Sequence, residues 1–197
     1  MKRRTVIKRI LSLLRDNDVV LVSGKGLSMD AFKFDDKRLF YFDKVGRAAA
    51  FGLGLAIANN KRIFILCEDV ELIRNFSIMA QAAASGCSNL FYIVLGCTRY
   101  QDSGGQPSIF TDINAPKAVL FNLGLVVHEF SNYFSPRGSV KELANIFNGI
   151  RGPMAVLIKT NVGVDKPIEF DLGKMEMKER FVNFVQDLEL GTSLFVP

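Results

Sequence analysis

Arg62–Pro107 reads RIFILCEDVELIRNFSIMAQAAASGCSNLFYIVLGCTRYQDSGGQP. Two short apolar runs, Ile63–Cys67 and Leu90–Leu95, are rich in Ile, Val, Phe and Tyr. Their length and the breakers around them predict buried parallel strands. Between them, Glu71–Ser85 carries Ile73, Phe76, Met79 and Ala80 at helical spacing and stops at Gly86, which predicts one helix. The result is a strand–helix–strand unit with a right-handed crossover. It sets Glu68-Asp69-Val70, at the carboxyl end of the first strand, beside Gly96-Cys97-Thr98-Arg99, at the carboxyl end of the second. In open parallel sheets, ligands sit at that edge.

Outward from this unit, the same alternation continues. Residues 1–16 hold a basic amphipathic helix, with Val6, Ile7, Ile10, Leu11, Leu13 and Leu14 interrupted by Lys8, Arg9 and Ser12. That pattern differs from a signal peptide, whose apolar centre is continuous. Val19–Val22 is the first buried strand, and Ser23-Gly24-Lys25-Gly26 turns away from it. The Gly-Lys-Gly there lacks the spacing of a phosphate loop, so it reads as a plain turn. Ser28–Arg38 is polar and irregular, with a short helical turn as the alternative. Leu39–Phe42 is a short apolar run, and Arg47–Ala58 is a helix dense in Ala and Gly that can approach a neighbour closely. Cys97–Lys117 lacks periodicity and contains Ser103-Gly104-Gly105-Gln106-Pro107, the composition of a long binding loop. Asn114–Asn122 is a helix, Leu125–Phe130 a strand, Ser139–Ile150 a helix with Ser139 as its N-cap, and Met154–Lys159 a strand. A charged amphipathic helix spans 174–190. About five or six strands alternating with helices indicate an α/β, three-layer sandwich with a mostly parallel sheet.

At 197 residues and 49% hydrophobic content, the chain fits one domain over 1–197 with a substantial core. No run is long enough for a membrane span. Cys67, Cys87 and Cys97 have no metal-site spacing, and their odd number suggests reduced thiols and a cytoplasmic location. Cys67 and Cys87 read as small core residues. His128, the lone histidine, lies in an apolar run and reads as a packed, hydrogen-bonded core residue. The net charge of +5 permits anionic partners without naming one. The basic cluster Lys2, Arg3, Arg4, Lys8 and Arg9 reads as a solvated helix face, and no aromatic–basic interleaving supports nucleic-acid binding.

Several segments resemble the diphosphate-binding half of thiamine diphosphate enzymes, most of all the β subunit of sulfopyruvate and phosphonopyruvate decarboxylases. They are GRAAAFGLGLA (Gly46–Ala56), the strand with Asp69, NLFYIVL (Asn89–Leu95), YQDSGGQP (Tyr100–Pro107) and KERFVNF (Lys178–Phe184). The resemblance implies the thiamine diphosphate-binding fold, a Mg²⁺ ion holding the cofactor's diphosphate, and a small 2-oxo acid as substrate. It also implies a separate pyrimidine-domain subunit that carries the activating glutamate, since this length does not hold both domains, and a homo- or hetero-oligomer. Carried over by position, the metal ligands are Asp69, Cys97 and the carbonyl of Arg99. The cofactor contacts are Lys44, Val45, Gly46, Asp69, Val70, Glu71, Cys97, Arg99 and Tyr100.

The chain departs from the family pattern where the chemistry is concentrated. The family has Gly-Asp-Gly and, after a spacer, Asn. Here the triplet is Glu68-Asp69-Val70, and Cys97 stands at the Asn position after 26 intervening residues. Mg²⁺ favours oxygen ligands, and a thiol is soft. Val70 puts a branched side chain where glycine lets the main chain approach phosphate. Glu71 adds negative charge at a helix start that would otherwise attract an anion. In the family's Gly-Ser-Met-Gly-like turn, which touches thiazolium and phosphate, Asp43 and Lys44 replace the first two residues. Two readings follow: a subunit of a thiamine diphosphate-dependent 2-oxo acid decarboxylase, or a non-catalytic relative that has lost the cofactor and serves a structural or regulatory role.

Overall fold

A computed structural model describes residues 2–42, 44, 46–100, 104–130, 138–149, 151–161 and 173–187. Val45 and Asp43 lie outside the described residues, as does the end of the C-terminal helix expected to reach 190. In chain order the elements are α1 (Arg3–Leu11), β1 (Val19–Ser23), α2 (Lys25–Phe32), β2 (Leu39–Phe42), α3 (Arg47–Ala58), β3 (Ile63–Glu68), α4 (Asp69–Arg74), α5 (Phe76–Ser85) and β4 (Leu90–Gly96). They continue with β5 (Arg99–Tyr100), β6 (Gln106–Pro107), α6 (Asn114–Asn122), β7 (Val126–Phe130), α7 (Gly138–Gly149), β8 (Met154–Lys159) and α8 (Lys174–Asp187).

Six strands form one sheet in the order β2-β1-β3-β4-β8-β7, and every neighbouring pair is parallel. The central strands alternate their side chains between two apolar layers. Val20, Val22, Phe64, Leu66, Phe91 and Ile93 face α1, α2 and α7. Leu21, Ile63, Ile65, Tyr92 and Val94 face α3, α5 and α6. Phe64 stacks on Phe91 at 4.7 Å between ring centroids, and Phe147 meets Phe64 edge-on at 5.1 Å. Each such side chain, fully buried, contributes about 1.5–3 kcal/mol. Of the two glycines in α3, Gly52 serves the close approach expected of that helix, since a Cβ there would lie 2.7 Å from Ile65 Cδ1, whereas Gly54 faces open space. Cys67 and Cys87 are buried and unbridged, as the sequence suggests. No helix among the described residues is long and apolar enough to cross a membrane.

The chain leaves β1 toward β2 on one side and returns to β3 on the other, so the strand order reverses beside β1. Register places Glu68 opposite Leu95, which brings the tips of β3 and β4 together. The carboxyl ends of β1, β3 and β4 therefore share the edge where open α/β sheets bind ligands.

Several expectations need correction. The single helix over Glu71–Ser85 is two helices, broken at Asn75 (φ −115°, ψ 13°), and the first begins earlier, at Asp69. The Asn75 side chain donates to the Glu71 carbonyl at 2.8 Å and so competes with the helical ladder. The short helical turn allowed within Ser28–Arg38 is the later part of α2, which starts earlier, at Lys25 after Gly24 at φ 94°, with Leu27 and Ala31 buried one turn apart. The 97–117 loop holds the β5–β6 hairpin and a 3₁₀ turn at Ile109–Thr111, pinned by fully buried Phe110. The N-terminal helix spans Arg3–Leu11 rather than 1–16, and Arg3 and Arg4 fold inward onto Asp30 instead of forming a solvated basic face. His128 is half-buried on the edge strand β7 and is not the hydrogen-bonded core residue expected: its Nε2 is buried with no hydrogen-bond partner, and burial holds its pKa below the usual histidine value.

Two outcomes follow from this packing. A Cβ at Gly96 would lie 2.3 Å from the Phe110 ring, so Gly96→Ala is expected to cost about 1–3 kcal/mol of stability in denaturant melts. Adding Phe110→Leu should recover part of that loss. Because the folded state disfavours protonated His128, stability is expected to fall as pH drops through the unfolded-state pKa of about 6.5 and to level off below the folded value. His128→Leu should remove that part of the slope in Tm measured between pH 8 and 5.

Candidate functional site

The site lies at the carboxyl tips of β1, β3 and β4, and its charges are settled largely within the chain. Glu68, at the end of β3, accepts from Arg3 Nη1. Arg3 also donates through Nε to Asp30 at 2.5 Å and through Nη2 to the Gly26 carbonyl at 3.2 Å. Arg4 reaches the other Asp30 oxygen at 2.6 Å. The N-terminal turn of α1 is thereby fastened to α2 and to the tip of β3.

Asp69 opens α4 and is 4% exposed. One of its oxygens accepts from the Val70 amide at 3.0 Å, while Oδ2 is buried without a partner. Burial pushes the Asp69 carboxyl above the usual carboxylate range, against the pull of the Val70 amide. An unsatisfied buried carboxylate oxygen is a costly group and suits a cation. The other two metal donors implied by the resemblance are less suitable. The Cys97 thiol donates to the Arg99 carbonyl at 2.7 Å, so each satisfies the other. Burial also raises the Cys97 pKa, and the nearby Asp69 and Glu68 charges reinforce that, which keeps the sulfur a protonated, neutral group. The Arg99 side chain is exposed and turns to the Gly105 carbonyl at 3.1 Å, within the hairpin. Among the described residues, no group of three His, Cys, Asp or Glu side chains could hold a metal ion. A carboxylate, a thiol and a thiol-bonded carbonyl do not make the oxygen-rich shell that Mg²⁺ needs.

The anion end is filled from inside. The Glu71 carboxylate is 2% exposed. Oε2 accepts from the Gly46 amide at 2.7 Å and from the Asn75 side-chain amide at 2.6 Å. Oε1 accepts from the Ser23 hydroxyl at the tip of β1. Gly46 stands in the left-handed region (φ 95°) at the N-terminus of α3, a twelve-residue helix with no side-chain cap from its own first turn. Glu71 supplies an acceptor there from 25 residues away, and its charge complements the helix dipole. The Gly46 amide, one of the cofactor contacts that the resemblance implies, is thus already occupied. Thiamine diphosphate with Mg²⁺ does not fit the residues present.

The structure brings Gly46, Asp69, Glu71 and Cys97 to one edge, as the sequence suggests. It leaves Lys44 exposed and Val70 and Tyr100 partly exposed. Sequence reasoning missed Ser23, Asn75 and Arg3. Ser23 ends a strand beside the reversal in strand order, and an Asn inside a helical pattern is a side chain apt to bond the backbone or a near neighbour. Those were the available signals.

No family model matches the sequence. The chain is 24% identical over 188 residues to the sulfopyruvate decarboxylase subunit beta of Methanothermobacter thermautotrophicus, covering 94% of this chain and 96% of that one. It is 26% identical over 117 residues to a phosphonopyruvate decarboxylase of Streptomyces viridochromogenes, covering 58% of this chain but only 29% of that protein. Among solved structures, a protein from Mycobacterium smegmatis described as thiamin diphosphate-dependent superposes with a TM-score of 0.66 at 13% identity, over 83% of this chain and 32% of that one. A 2-oxoglutarate:ferredoxin oxidoreductase from Magnetococcus marinus superposes with a TM-score of 0.61 at 17% identity, over 94% and 67%. With its parallel α/β sheet, the chain has the fold of these two solved enzymes and is similar over nearly its whole length to a sulfopyruvate decarboxylase beta subunit.

Proposed function

We propose that this chain is a non-catalytic subunit of a decarboxylase-type assembly: it keeps the fold that pairs with a pyrimidine-domain chain and has given its own cofactor site over to internal structure. The observation that carries this reading is the Glu71 carboxylate held by Ser23, Gly46 and Asn75. The thiol-to-carbonyl bond between Cys97 and Arg99 supports it at the metal end. So does the beta-subunit relative, which matches nearly end to end and whose name marks it as one chain of a larger enzyme. The role left for such a subunit is structural or regulatory: to complete and position a partner that carries chemistry elsewhere.

One observation favours a second reading. The partnerless Oδ2 of Asp69 is what a retained Mg²⁺ ligand would leave when no ion is bound. Under that reading, the chain is the cofactor-bearing subunit of a 2-oxo acid decarboxylase.

A calorimetric titration separates the two. The chain is mixed with thiamine diphosphate and Mg²⁺, alone and with a co-purifying pyrimidine-domain subunit. No heat of binding at millimolar cofactor is expected in either case. Saturable binding that disappears in Asp69→Ala would establish the second reading instead. Cys97→Asn restores an oxygen ligand, yet it is expected to gain no Mg²⁺-dependent cofactor binding, because the anion end stays filled. A gain would mean the site is weakened only at the metal.

A further inference from the structure

We infer that Glu71 is a resident anion, standing in the α3 cradle where one phosphate of a diphosphate would have to sit, and that it closes the native chain to diphosphate compounds. This rests on the first reading above and goes further, because it assigns the closure to one side chain and says what the cradle accepts once that side chain is removed.

The cradle has three donors from three parts of the fold. They are the Ser23 hydroxyl at the tip of β1, the Gly46 amide at the start of α3, and the Asn75 side-chain amide at the α4–α5 break. None of these donors is positively charged, yet together they hold a carboxylate that is 2% exposed. Such burial is tolerated only when the charge is hydrogen-bonded, and the N-terminus of a twelve-residue helix adds a favourable dipole. Carboxylate and phosphate oxygens make the same demand of such a site: fixed N–H and O–H donors aimed at a negative oxygen. A diphosphate could enter only by displacing the carboxylate. It would then add its own charge beside Glu68, Asp69 and an expelled Glu71.

The geometry also explains why the closure is stable. The same carboxylate ties β1, α3 and the helix break together, so removing it from the cradle would untie all three. Asn75 reinforces the arrangement, because its amide also bonds the Glu71 carbonyl at 2.8 Å and orients the residue from both ends.

The test uses the full chain and inorganic pyrophosphate without metal, followed by thermal shift and by the Gly46 amide in ¹H–¹⁵N spectra. Wild type should show no saturable change at millimolar pyrophosphate, and a through-hydrogen-bond coupling should join the Gly46 nitrogen to the Glu71 side-chain carboxyl carbon. Glu71→Ala and Glu71→Ser should melt several degrees lower. Pyrophosphate should restore part of that loss and move the Gly46 amide, whereas chloride at equal ionic strength should do neither. Absence of the coupling in wild type overturns the inference whether or not the variants fold. So does saturable pyrophosphate binding to wild type that moves the Gly46 amide, or a folded variant indifferent to pyrophosphate. Uptake of thiamine diphosphate and Mg²⁺ by wild type would instead defeat the underlying reading, so the two failures are distinguishable.

Discussion

A carboxylate cannot be taken out of water without donors to replace it, and the ligand edge of this protein is arranged around that requirement at Glu71. Its partners come from the end of one strand, the start of one helix and the interruption of another. The left-handed turn at Gly46 and the bend at Asn75 both make sense as the geometry that lets those donors converge. In a related fold that holds an external anion, the ligand would organise this edge on arrival. Here the organiser is covalently part of the chain and is always present.

The surrounding electrostatics have the same self-contained character. Glu68 and Asp30 are answered by Arg3 and Arg4 from α1. Cys97 and the Arg99 carbonyl answer each other. Asp69 is the exception, keeping one oxygen buried and unanswered, with its proton affinity raised by that burial. The edge therefore combines a satisfied anion position with an unsatisfied cation position. This is the physical form taken by the disagreement between the motif and the family it resembles.

Much of this was legible in the sequence. The runs Ile63–Cys67 and Leu90–Leu95, of five and six residues, could be read as buried strands because they are short, flanked by breakers and rich in β-branched and aromatic residues. The Ala- and Gly-rich helix over Arg47–Ala58 follows from composition and has the same ends in the structure. Less legible was anything that depends on where a long side chain turns. Glu71 could be read as a charge hostile to an anion, but its reach to Gly46 is a contact across 25 residues, which periodicity cannot register. The break at Asn75 was hidden because the apolar spacing runs straight through it. Helix α2 was legible only as a short turn because its buried face is just Leu27, Ala31 and their polar neighbours Ser28 and Asp30. The basic cluster misled for a related reason: Arg3 and Arg4 look solvated until their carboxylate partners, far along the chain, are in place.

The interruption at Asn75 divides what would have been a five-turn rod into a short piece and a longer one. Helical cooperativity does not pass through such a discontinuity. The six residues of α4 are instead fastened on their own account, through buried Glu71 and Leu72, while α5 docks on the sheet through Met79 and Ala82. The two pieces are thus anchored independently, the shorter by a hydrogen-bonded charge and the longer by apolar contact.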